Sequence, residues 1–152
     1  MGKGNPVDAR DYICKTHKEC LHCASEQYGA SRGDGCLSDY VRYSYGTSNG
    51  MAYCTNDANT CERAVCECNL EFAEYHAHAK DIFNEDYHSP TEGAYGNFDP
   101  TDPLHCVSIP GSNAADMQCC NNADVSRSFK WFNANKYQCC PNGFIEEHGQ
   151  LC

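Results

Sequence analysis

The chain has 152 residues, 14 of them cysteine, and its 11 basic and 21 acidic side chains leave a net charge of −10. Cysteine at this density marks a secreted disulfide scaffold; a structural zinc protein would repeat C-x2-C knuckles, and here Cys20-Leu-His-Cys23 alone has that form. The acidic balance excludes nucleic acid and electrostatic attraction to anionic membranes, and no apolar run approaches the ~18 residues of a membrane span.

Residues 1–11 read as loop, with two glycines, an Asn-Pro and two aspartates, and Asp11 is the expected N-cap of the next element. A first helix is predicted over 12–28. His17 lies three residues after Cys14 and three before Cys20, so the three side chains share nearly one helical face. A histidine pinned in this way suits a general base, and equally a residue packed beside cystines. The run Gly29-Ala-Ser-Arg-Gly-Asp-Gly35 ends the helix. Cys36 then opens a short helical or turn segment. Val41, Tyr43 and Tyr45 alternate with polar residues as in a strand. Asn49-Gly50 signals a type I′ hairpin, with Met51 to Cys54 returning. The expected product is a small two-stranded wing held at its base by Cys54.

A second long helix is predicted over 58–80, capped by Asn59 or Thr60, with Glu62 in its first turn. Cys61, Cys68 and Tyr75 recur every seven residues on one face. His76 and His78, two apart, fall on different faces, so no zinc site is expected there. Residues 81–118 lack periodicity and carry four prolines; they read as an extended connection tied down at Cys106. Their acids Asp81, Glu85, Asp86, Asp99 and Asp102 read as a solvated loop rather than a calcium site. In 119–152, Phe129, Trp131 and Tyr137 flank an Asn133-Ala-Asn135 turn, the pattern of a second hairpin. That segment is too short to bury much apolar area, so its five cysteines must act as staples. The fold class expected is mainly α and disulfide-rich, with two long helices, a β-wing and a stapled C-terminal hairpin. The divisions expected are a core over 1–88, a connection over 89–118 and a cysteine-rich tail over 119–152.

Two stretches carry a resemblance. GKGNPVDARDYICKTHKEC (residues 2–20) resembles the calcium-loop end and first catalytic helix of the secreted phospholipases A2. CTNDANTCERAVCECN (residues 54–69) resembles the start of that family's antiparallel second helix. The match covers roughly 2–88. It implies the disulfides Cys20–Cys68, Cys36–Cys61 and Cys54–Cys66. Ile13 and Tyr75 stand where most of the family has a bonded cysteine pair, and Thr47 where it has a cysteine bonded to its N-terminal helix. The family partner of Cys14 would lie before residue 1. The chain is therefore expected to start inside the calcium loop, without a leader, and a separate N-terminal chain could attach through Cys14. Cys23 matches no common family cysteine and needs a new partner. The pairing of Cys14, Cys23 and the six C-terminal cysteines stays open. The tail, with its paired cysteines, Asn142-Gly143 and terminal Gly-x-x-Cys, resembles the galaxin-type cysteine repeat.

The resemblance also implies a chemistry. In the family, a histidine activates water for attack on an ester carbonyl. An aspartate holds the calcium that polarises that carbonyl, and a second aspartate orients the histidine. His17 matches the base. Lys18 stands at the calcium aspartate, Asn69 at the orienting aspartate, and Leu21 at a supporting tyrosine; Tyr43 matches the other tyrosine. An ammonium repels a hard cation, so the metal and its oxyanion stabilisation are expected to be lost. His17, Tyr43 and Asn69 then form a vestigial site, with no cofactor and no metal. Three roles compete: an inactive homologue serving an extracellular matrix or mineral surface, as relatives do in calcified otoconia; a membrane-active toxin-like homologue, which would need a basic surface; and an active calcium-dependent esterase of sn-2 phospholipid bonds. The first fits the acidic balance best. Its partners would be an extracellular protein, a mineral or further copies of the chain.

Overall fold

Helix α1 runs from Ala9 to Tyr28 in a computed structural model that describes residues 6, 8–29, 35–36, 40–82, 116–120 and 129–152. Its cap is Asp8, not Asp11. The Asp8 backbone is extended, and its carboxylate accepts the Asp11 N–H at 2.7 Å. Asp11 sits inside the first turn, where a negative charge meets the positive helix end. The helix stops at Gly29, whose φ of 95° few other residues tolerate.

Residues 41–44 were expected to open the wing as a strand, but strand β1 starts later, at Tyr45–Ser48, and pairs with β2, Met51–Cys54. Residues 41–43 lie off the ladder, while the Ser44 carbonyl still accepts from the Thr55 N–H at 3.0 Å. Val41 and Tyr43 pack against the core, and the Ser44 N–H donates to Asn56 Oδ1 at 2.7 Å. Asn49 and Gly50 close the hairpin at φ 52° and 78°, the pair of left-handed residues a type I′ turn demands. Gly50→Ala is accordingly expected to cost about 1 kcal/mol, read as a lower urea midpoint with an unchanged slope.

Helix α2 spans Cys61–His78. Of the two candidate caps it uses Thr60, whose Oγ1 accepts from the Arg63 N–H at 3.2 Å. Contacts between the helices run in opposite senses along the two sequences. Arg10 donates to the Ala79 carbonyl, His17 meets Asn69, and Cys20 is bonded to Cys68. The helices are therefore antiparallel. A short 3₁₀ turn, Lys80–Ile82, follows.

The tail differs from its expected form. Strand β3 (Met117–Cys120) pairs with β4 (Lys130–Asn133), and β5 (Tyr137–Cys139) pairs with β6 (Ile145–Glu147). Residues 133–135 do turn the chain, with the Asn135 N–H on Asn133 Oδ1 at 3.0 Å, but they do not close a hairpin between their flanking strands. The ladder edge of β4 is occupied by β3, where Cys119 faces Trp131, and Cys119 is bonded to Cys23 of α1. With its partner fixed from a distance, β4 leaves β5 to pair onward with β6. Cys120–Cys139 and Cys140–Cys152 staple these strands.

The buried cluster explains the cysteine count. Cys20, Cys23, Ala24, Cys36, Ala64, Val65, Cys68 and Phe129 form one core, and Val65 is the largest fully buried side chain. No Leu, Ile or Trp fills its centre among the described residues. A core this lean in apolar volume relies on crosslinks; six disulfides are seen among the described residues, Cys36–Cys61 and Cys54–Cys66 included. Residues 1–5, Cys106 and the acids Glu85, Asp86, Asp99 and Asp102 lie outside the described residues.

Candidate functional site

Three elements converge on His17. The helix period puts it on the face of α1 that meets α2, one turn before the Cys20–Cys68 bond that fixes the spacing between the helices. Its Nε2 lies 2.7 Å from Asn69 Oδ1, and Asn69 Nδ2 donates to the Tyr43 hydroxyl at 3.1 Å. The sequence-identified His17, Asn69 and Tyr43 thus form one chain of hydrogen bonds. With its Nδ2 turned to Tyr43, the amide presents Oδ1 as an acceptor to the Nε2 side of the ring. The amide orients the ring but carries no charge with which to stabilise an imidazolium.

Phe72 completes the setting. Its ring stacks on His17 at 4.4 Å between centroids, and His76 stacks on Phe72 at 5.3 Å. The i, i+3 interval from Asn69 to Phe72 places both on the side facing α1, whereas Tyr75, on the seven-residue stripe with Cys61 and Cys68, is half exposed. Lys18 projects from the next position of α1 and is exposed, and Leu21 packs against the core. Among the described residues no group of three His, Cys, Asp or Glu side chains is placed to hold a metal ion, His76 and His78 included. Cys14, exposed and one turn before His17, has no disulfide partner among the described residues.

The same helix carries Glu19, a partly buried carboxyl. Burial pushes the Glu19 carboxyl above its usual 4.5, against the opposing pull of Lys15. A carboxyl raised on folding favours the folded state while protonated, so this contribution is lost as pH rises from 4.5 through the raised value. Glu19→Gln is therefore expected to stabilise the protein at pH 7, an advantage that disappears below the carboxylate range. Urea denaturation at both ends of that range checks it.

Among known proteins, the chain is similar to two phospholipases A2 from Mus musculus. The membrane-associated phospholipase A2 is 31% identical over 86 residues, 57% of this chain and 54% of the relative. The group IID secretory phospholipase A2 is 38% identical over 72 residues, 47% of this chain and 45% of the relative. The chain spans about half the length of the curated relatives it matches. No family model matches it. The chain is phospholipase A2-like in sequence, and its two disulfide-linked helices with a small wing are consistent with that likeness.

Proposed function

We propose that this phospholipase A2-like chain is secreted and non-catalytic, and acts as a binding or structural module at an extracellular matrix or mineral surface. The observation that carries the reading is Lys18. It stands beside the histidine, where the resemblance requires the carboxylate that holds calcium. An ammonium there repels the cation, and without the metal the developing oxyanion has lost its main stabiliser. Asn69 supports the same reading, since a neutral amide gives His17 orientation without charge. The twelve cysteines in disulfides favour an oxidising, extracellular setting. The net charge of −10 suits a calcium-bearing surface and opposes the toxin-like alternative, which depends on attraction to anionic lipid.

Two assays test it together. Phospholipid vesicles incubated with the protein should show no calcium-dependent release of fatty acid, in calcium or in chelator. Sedimentation should find the protein on calcium carbonate, released by salt, and not on anionic liposomes. Hydrolysis that requires calcium would overturn the non-catalytic role. Binding to liposomes in preference to mineral would turn the reading toward the membrane-active homologue.

A further inference from the structure

A cavity of about 370 Å³ lies where α1, α2 and the tail meet. It is separate from the histidine site, since none of His17, Asn69 and Tyr43 lines it. Its walls are mainly apolar and carry four aromatic side chains, Tyr12, Tyr75, Phe129 and Trp131. Three charged groups also line it. Lys130 and Glu71 are bonded to each other and cancel. Among the described lining residues, Glu19 is left as the charge without an ion-pair partner in the lining. Its side chain is only 20% exposed, and its ion-pair partner among the described residues is Lys15, at 4.0 Å and outside the lining.

The geometry points to a binding site for an organic ammonium cation, a quaternary or alkylated amine that presents its charge to Glu19 and its carbon shell to the aromatic walls. Aromatic faces attract cations, most strongly where water is excluded, and a nearby carboxylate adds a direct Coulomb term. A hard metal ion is a poor match, because it would demand several oxygen ligands. The size suits a small molecule or a headgroup, at the lower end of ligand cavities of roughly 300–1,000 Å³. The raised Glu19 carboxyl agrees with this, since burial there already outweighs Lys15 and a bound cation would offset the cost. The inference does not rest on the non-catalytic role, and the outcome of the hydrolysis assay leaves it untouched.

Trp131 is the sole tryptophan of the chain, so its fluorescence reports on this cavity. Choline is expected to change the emission saturably, while 3,3-dimethylbutan-1-ol, of the same shape without charge, should bind at least tenfold more weakly. Glu19→Gln, which keeps the size of the side chain, should weaken choline by about tenfold. Lys15→Gln, which removes the competing cation, should tighten it by about twofold. Equal response to the two probes, no saturation, or a Glu19→Gln protein that binds choline as wild type does would each overturn the site. Phosphatidylcholine vesicles that displace choline would assign the cation to a lipid headgroup. Vesicles that do not would assign it to a soluble amine, and in both cases the cavity remains the ammonium site.

Discussion

Replacing Cys23 and Cys119 together by alanine is expected to lower the free energy of unfolding by about 4 kcal/mol. The bond joins residues 96 apart in sequence, though the Cys20–Cys68 bridge shortens the loop it closes. Loop entropy varies only with the logarithm of length, so the shortening changes the figure little. Cys23 is fully buried within the core, and Cys119 packs against it. The bond also seats the tail. Trp131 lies 4.9 Å from His22, and Phe129 meets the edge of Tyr28 at 6.4 Å. Without the bond, these contacts and the Lys130–Glu71 ion pair must hold the tail. Equilibrium denaturation should show the loss, and hydrogen exchange should place it. Protection of the β4 amides should fall while the amides of α1 beside Cys20 stay protected. An unchanged midpoint would show that the tail docks by packing alone.

Asn69→Ala is expected to cost about 2 kcal/mol, because it deprives two partly buried groups of partners at once, His17 Nε2 and the Tyr43 hydroxyl. Asn69→Asp should cost much less, since a carboxylate can accept from both. The pair of variants also probes the chemistry. In a serine-protease triad, exchanging the orienting carboxylate for an amide costs about 10⁴ in rate. Restoring a carboxylate here should nevertheless leave phospholipid hydrolysis at background, because Lys18 still stands at the metal position. Denaturation separates the first effect, and a fatty-acid release assay the second. A calcium-dependent rise in hydrolysis for Asn69→Asp would show that Lys18 does not silence the site.

What could be read from the chain was local. The Asn49-Gly50 turn announces itself because few residue pairs accept two positive φ angles, and the structure has both. The two helices follow from apolar and cysteine spacing on one face. Helix ends were less legible. Asp8 and Asp11 are the same residue type three apart, and only the extended backbone at Asp8 decides between them. The tail was least legible. Its aromatic strands advertise β structure, but a strand does not encode its partner when a bond to a distant helix supplies one. The partner of Cys23 is a fact of the same kind, since many pairings fit one set of cysteines. The ammonium cavity follows suit. Glu19 and Trp131 are 112 positions apart in the sequence, and nothing in either residue's neighbours shows that they line one cavity.

The placement of the disulfides also sets an order of assembly during synthesis. The bonds that fasten the two helices and the wing all close within residues 20–68, whereas Cys23 must wait for Cys119. At translation rates of about 5–20 residues per second, the interval is roughly 3–10 s. Throughout it, Cys23 is a thiol three positions from Cys20, with Cys14, which has no partner among the described residues, on the same helix. Wrong bridges to either are the hazard of that interval, and thiol exchange is slow enough without a catalyst for them to persist. Oxidative refolding of the reduced chain is therefore expected to recover the Cys23–Cys119 pair faster when a disulfide isomerase is present.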